Sequence, residues 1–298
     1  MQTIYKFLQS DQKEEARTRL IQFVEREFGI KVDDLWFETS AVSLNSFKGC
    51  LLSGDERYFF KTHIEQEGEI QEYAGGKLLG EAGYPVIAPI FSCVDRGREL
   101  LIYPYIKDPS LFEVVNEGMP DLNSLKAVQE AYDQRLFKIY QKTFEEGEIE
   151  FPAVQQLFYK RLNGARFERF YGGREALLEK EWVIDGRSLG TLNQAMKSAL
   201  ADLSSENQLS FSVIGHGDAH NGNVFWASDG LKLFDPAYAG RMDPFLDLAK
   251  PLFHNTFARW MYFPDRGTEL NVFEQMFLES KMKNVLKPLV RWLDDRGL

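Results

Sequence analysis

Apolar and polar positions divide the chain into a strand-rich first third and a helix-rich remainder. Residues 12–28 repeat at helical spacing, with Leu20, Ile21, Phe23, Val24 and Phe28 on one face and Gly29 as the stop. Short apolar runs at 36–39, 47–52 and 58–62 read as strands, the last two joined by the turn at 53–56. A helix is expected over 66–82, carried by Ile70, Tyr73, Ala74, Leu78 and Leu79 and ended by Gly83 and Pro85. Gly75 and Gly76 lie inside it, each at a cost of about 1 kcal/mol relative to Ala. Strands follow at 87–94 and 99–103 across the turn at 95–98. The expectation is a five-stranded antiparallel sheet with one helix between its third and fourth strands.

Beyond residue 110 the period changes. Helices are expected over 124–146, 153–170, 188–203, 246–258 and 270–293, with a β-rich island at 213–234. Pro104 and Pro109 favour an extended connection between the two halves. This predicts an α+β chain with a sheet lobe at 1–103, a hinge at 104–109 and a helical lobe at 110–298.

Composition narrows the function classes. The 298 residues are 44% hydrophobic and 14% aromatic, as in a packed globular protein. Forty-five acidic against 35 basic residues give a net charge of −10, which argues against nucleic acid as a partner. Cys50 and Cys93 stand apart from any CxxC or Cys/His cluster and read as buried thiols. The first twelve residues lack an apolar core for a signal peptide, and no run of about 18 apolar residues occurs. The expected compartment is the cytoplasm, with no membrane partner, for a monomer or homodimer.

The densest chemistry lies in Ile214-Gly215-His216-Gly217-Asp218-Ala219-His220-Asn221-Gly222-Asn223, followed by Leu231-Lys232-Leu233-Phe234-Asp235-Pro236. Phosphoryl transfer needs a carboxylate to orient and deprotonate the accepting hydroxyl, and oxygen ligands for Mg²⁺ on the triphosphate. Asn223 follows Asp218 by five residues, and Asp235 lies twelve further on at the end of an apolar strand. A loop and hairpin with this spacing can bring Asn223 and Asp235 to one ion while Asp218 faces the acceptor.

His216-Gly217-Asp218 with Asn223, and then Asp235, resembles the HGDxxxxN…D signature of the aminoglycoside phosphotransferase and choline kinase-like superfamily, which includes the fructosamine kinase-like enzymes. The resemblance implies a protein-kinase-like two-lobed fold and an ATP- and Mg²⁺-dependent small-molecule kinase. It implies that Asp218 is the catalytic base, that Asn223 and Asp235 hold the metal, that His216 supports the loop and that Asp247 braces it. His220 is left between a γ-phosphate or substrate contact and a solvated loop residue. Pro236, in place of the glycine-containing continuation of protein kinases, and Gly217, in place of Arg, tilt the resemblance away from protein kinases.

On the nucleotide side, Lys61 in the third strand is expected to reach the α- and β-phosphates. Glu67, Glu69 and Glu72 are candidates to hold it, and Glu72 fits the superfamily spacing best. The phosphate-covering loop should lie at 40–49, with Ser43 as a ligand candidate, although it is not glycine-rich. The hinge should offer backbone groups of Tyr103 and Tyr105 to adenine, Tyr105 being the donor because Pro104 has no N–H; GTP is an alternative nucleotide. Acceptor candidates are Arg161, Arg166, Arg169, Tyr171 and the aromatics Phe253, Trp260, Tyr262 and Phe263, which read either as a cage for a cation or as core. The expected acceptor is a small molecule with a hydroxyl group: an amino sugar, sugar, amino alcohol or ketoamine. A catalytically silent nucleotide-binding regulator is the competing class. A protein kinase is disfavoured by the short interval from Asp235 to Asp247.

Overall fold

The computed structural model describes residues 1–38, 47–62, 71–95, 97–117, 121–147, 152–206, 211–262, 265 and 269–298. Two helices open the chain, α1 (Gln2–Gln9) and α2 (Lys13–Phe28), the second closed by Gly29 in the left-handed region at φ 69°. Strands β1 (Asp34–Phe37), β2 (Lys48–Ser53) and β3 (Glu56–Lys61) follow, then helix α3 (Gln71–Ala82) and strands β4 (Phe91–Cys93) and β5 (Leu100–Pro104). They form one antiparallel five-stranded sheet in the order β1-β2-β3-β5-β4, with α3 between the third and fourth strands in sequence. Its inner face packs Leu35, Leu51, Phe60, Leu100 and Ile102 against Ala16, Leu20 and Val24 of α2.

The rest is mainly helical. It holds α4 (Leu111–Glu117), α5 (Leu122–Thr143), β6 (Glu145–Glu146), α6 (Ala153–Asn163), α7 (Ala165–Tyr171) and α8 (Glu175–Leu178). Next come β7 (Glu181–Ile184), β8 (Arg187–Thr191), α9 (Leu192–Asp202) and β9 (Phe211–Gly215). After a 3₁₀ turn at Asn221–Asn223 lie β10 (Val224–Ala227), β11 (Gly230–Leu233) and β12 (Gly240–Met242), then α10 (Pro244–Tyr262), α11 (Val272–Lys281) and α12 (Lys287–Asp294). Strand β9 is central in the sheet β12-β9-β6, so its apolar run Val213–Ile214 is buried beneath α5.

Several expectations need correction. The helix expected from residue 188 starts at Leu192, because Asp185-Gly186 turns β7 back onto β8 with φ of 50° and 73°, the geometry of a tight hairpin. The helix expected over 153–170 breaks at Gly164, which is extended at φ −103°, ψ −172°. The last helix widens into a π turn at Met282–Leu286 just before Pro288, whose ring cannot follow a regular turn. The strand expected over 87–94 shortens to β4, and the preceding chain instead joins the C-terminal half: Ile87 donates its N–H to Leu233 (2.8 Å) and Leu233 donates to Pro85 (2.8 Å). The end of α3 and the residues just after it take the same side. Leu79, Ala82 and Tyr84 pack with Val213, Leu233 and Leu248, and the Tyr84 hydroxyl donates to the Ile214 carbonyl at 2.8 Å. Helix α3 therefore links the sheet to β9 and β11.

Candidate active site

The loop after β9 is shaped from within. Gly217 has φ 75°, and a Cβ there would lie 2.8 Å from the Tyr238 carbonyl oxygen, so glycine is required. The Gly217 amide donates to Asp247 Oδ1 (2.7 Å), and Asp247 Oδ2 accepts from the Tyr140 hydroxyl (2.6 Å). His216 is fully buried. Its Nδ1 accepts from the Asp218 amide (3.3 Å), which leaves the proton on Nε2 to meet the Phe234 carbonyl (3.1 Å). Burial, partly offset by Asp247, Asp218 and Asp235, pushes its pKa down, so the ring is a neutral spacer between the loop and the end of β11.

Asn223 donates its side-chain N–H to the Asp218 carbonyl (3.0 Å), which leaves its side-chain oxygen without an intramolecular partner among the described residues. The Phe234 amide donates to the Asn223 carbonyl (2.9 Å), fixing the start of the next segment, where Asp235 adopts φ 57°. Asp235 Oδ1 lies 2.6 Å from Lys61 Nζ, and Glu72 Oε2 lies 2.9 Å from the same ammonium. Among the three glutamates considered for Lys61, the described one, Glu72, meets it; residues 67 and 69 lie outside the described residues. Burial alone would lower the Lys61 pKa, but Asp235 and Glu72 outweigh it and raise it, so the ammonium is charged. Tyr103 adds a hydroxyl that donates to Glu72 Oε1 at 2.7 Å. Burial and the Glu72 charge push that phenol far above its usual range, so it is always a donor.

Close approach explains the glycines of α3. A Cβ on Gly75 would sit 2.5 Å from the Pro236 carbonyl oxygen. The glycine lets α3 lie against the backbone after Asp235 and brings Glu72 into reach.

Lys61, Asn223 and Asp235 line one cleft of about 640 Å³ with Phe59, Tyr105, Ile106, Ser110 and Phe234. An all-oxygen pair, a carboxylate and an amide carbonyl, fits a hard divalent cation such as Mg²⁺. The hinge differs from expectation. The Tyr105 amide is already given to the Arg57 carbonyl (3.2 Å) and its ring covers the Arg57 guanidinium at 3.7 Å, while Tyr103 pairs with Phe59 in the sheet. Ile106, next in the chain, has an amide without an intramolecular partner among the described residues and lines the cleft. Ser43 lies outside the described residues.

Asp218 turns towards α10. Its Oδ1 forms an ion pair with Lys250 and lies 3.8 Å from His220 Nε2. Burial raises the Asp218 pKa and the Lys250 charge pulls it back. His220 accepts the Gly222 amide on Nδ1 (3.1 Å) and stacks on His254 at 4.4 Å between ring centroids. Burial, with Lys250 and His254 beside it, brings its pKa down to about 3. Lys250 and His254 were missed from the sequence. The available signal was helical spacing, since both follow the bracing Asp247 on α10 by three and seven positions.

Of the acceptor candidates, Arg161 lies on α6 and Arg169 on α7, and Tyr171 stacks on Phe167 at 5.2 Å. The Arg166 side chain and Phe263 lie outside the described residues. Phe253, Trp260 and Tyr262 are 56%, 47% and 60% exposed, so they do not serve as core. Phe253 and Trp260 flank Phe257 in an open row on α10, and Tyr262 packs with Phe112 and His254. They form no closed cage.

Residues 152–278 match the model of the phosphotransferase enzyme family, a span that holds every residue of the loop just described. The resemblance seen in the signature is borne out. The amicoumacin kinase hAmiN, solved with AMP-PNP, Ca²⁺ and Ami, is 13% identical at a TM-score of 0.55, covering 92% of this chain and 79% of that one. A thermostable mutant of aminoglycoside phosphotransferase APH(4)-Ia, in a ternary complex with AMP-PNP and hygromycin B, is 15% identical at a TM-score of 0.50, covering 93% of each chain. The fold is protein-kinase-like. Its five-stranded sheet and its helical half meet at the cleft that Lys61 and Asp235 share. No curated protein matches the chain. Among the described residues, no helix is long and apolar enough to cross a membrane.

Proposed function

We propose that this chain is an ATP-dependent phosphotransferase that phosphorylates a hydroxyl group of a small molecule. The observation that carries the reading is the chain of contacts Glu72–Lys61–Asp235, which joins α3, β3 and the segment after β11 within one cleft. The nucleotide occupies that cleft, between a lobe at 1–103 and a lobe at 110–298 joined by a hinge at 104–109. Lys61 meets the α- and β-phosphates, oriented by Glu72, and the Ile106 amide serves adenine. Asn223 and Asp235 hold Mg²⁺, which neutralises charge on the β- and γ-phosphates when bound. Asp218 accepts the hydrogen bond of the acceptor hydroxyl and takes its proton as the oxygen attacks. His216 and Asp247 hold Asp218 in place. The relatives' complexes with AMP-PNP support the choice of an adenine nucleotide.

The acceptor class is tested by ADP release with Mg²⁺ across amino alcohols, sugars, amino sugars and ketoamines, with Asp218→Ala alongside. Acceptor-dependent release that disappears in Asp218→Ala is the expected result. Release retained at the wild-type rate in that variant removes Asp218 from its role, and failure of wild-type protein to bind Mg·ATP removes the reading.

A further inference from the structure

Between Asp218 and Asn223 the loop carries no lysine or arginine. A transferred phosphoryl group spreads negative charge over three equatorial oxygens, and its transition state is stabilised by cations aimed at them. Lys61 serves the cleft from the sheet side and is held there by two carboxylates. The cation beside Asp218 comes from elsewhere in the fold. It is Lys250 of α10, whose side chain is 19% exposed and ion-pairs with a carboxylate that is 14% exposed. Its position relative to the loop is set rigidly. Asp247, one helical turn earlier, holds the Gly217 amide, and Asn255, on the same helix, accepts the Asn221 amide at 2.7 Å.

A hydroxyl hydrogen-bonded to Asp218 would lie about 2.6–3.2 Å from the carboxylate that Lys250 contacts. The Lys250 ammonium, in contact with that carboxylate, is then beside the attacking oxygen. We propose, on the phosphotransferase reading above, that Lys250 is a catalytic residue that contacts the γ-phosphoryl group during transfer. Before the substrates meet, it is stored on Asp218. When the hydroxyl takes its place on that carboxylate, the ammonium bridges Asp218 and a γ-phosphoryl oxygen. The bond from phosphorus to the β,γ-bridging oxygen breaks, the bond to the acceptor oxygen forms, and the acceptor proton passes to Asp218. Lys250 keeps its proton throughout. A lysine supplied by α10 thus does from the acceptor side what the loop itself lacks the residue to do.

The test compares wild type, Lys250→Met and Lys250→Arg for binding of Mg·ADP and Mg·AMP-PNP by calorimetry with saturating acceptor present, and for kcat and KM with the same acceptor, one that the wild type phosphorylates. In Lys250→Met, Mg·ADP affinity stays within about twofold, which also reports folding, Mg·AMP-PNP affinity falls about tenfold, and kcat falls about 10²-fold with acceptor KM nearly unchanged. Lys250→Arg recovers most of the AMP-PNP affinity. An unchanged ratio of ADP to AMP-PNP affinity in Lys250→Met overturns the inference. So does a raised acceptor KM with kcat intact, which would make Lys250 an acceptor-binding group. Both results leave the phosphotransferase reading standing, whereas absence of nucleotide binding by the wild type removes both.

Discussion

The carboxylate of Asp247 and the amide of Gly217 meet at 2.7 Å, thirty residues apart in sequence, and the same carboxylate takes the Tyr140 hydroxyl at 2.6 Å. One side chain on α10 therefore ties the loop after β9 to α5. Asp247→Ala leaves two buried donors without an acceptor, at about 1–3 kcal/mol each. The expected loss is about 3 kcal/mol in urea unfolding, with turnover lost beyond what the remaining folded fraction explains. A variant of unchanged stability and activity would show that the brace is idle.

Lys61 is the only described cation in contact with both Glu72 and Asp235. Lys61→Met is expected to lower kcat/KM for ATP about 10²-fold by removing a charge aimed at the phosphates. It also leaves the buried Glu72 carboxylate without the ammonium that balances its charge, so the thermal midpoint should fall. Glu72→Gln should lower kcat/KM less, because the Lys61 charge remains. Steady-state kinetics on the two variants check the order.

Gly75 gives a test in which two effects have opposite sign. Helix propensity alone makes Gly75→Ala stabilising by about 1 kcal/mol. The contact of 2.5 Å with the Pro236 carbonyl makes it destabilising, by about 1–3 kcal/mol for overpacking against backbone. We expect the second to win, with weakened nucleotide binding as α3 moves away from Asp235. Gly76→Ala, whose nearest atom is a Pro236 ring carbon at 3.7 Å, should be tolerated. Paired denaturation curves decide it.

Among the described residues, three histidines shape the pH response. His216, His220 and His254 all have folded pKa values below the ordinary 6.5, chiefly through burial, with His220 at about 3. In the unfolded chain they bind protons as the pH falls through 6.5, and in the folded chain they bind them only at lower pH. The unfolded state then holds more protons, so stability rises with pH. The thermal midpoint should drop as the pH is lowered from about 7 to about 5.5. Asp218 and Asp243, whose pKa values are raised by burial, act in the opposite sense at lower pH. His220→Asn should flatten the slope, as thermal melts across that range would report.

Much of this molecule was legible in local patterns. The short apolar runs of β2, β3 and β5, the spacing of Leu20, Phe23 and Val24, and the run of residue types from His216 to Asn223 are local features of the chain. The hairpin at Asp185-Gly186 was legible as well, as a turn dipeptide between apolar runs, but the helical period that follows it obscured the strand.

The sequence by itself determined most of the strand and helix periods and the residue types needed for phosphoryl transfer, because these depend on contacts within a few residues. Tertiary structure alone decided the contact of Lys61 with Asp235, the hinge residue with an open amide, and the lysine that faces Asp218. Those outcomes depend on how α3 and α10 lie against the loop, across 174 residues from Lys61 to Asp235. No periodicity within one segment records where another segment will pack.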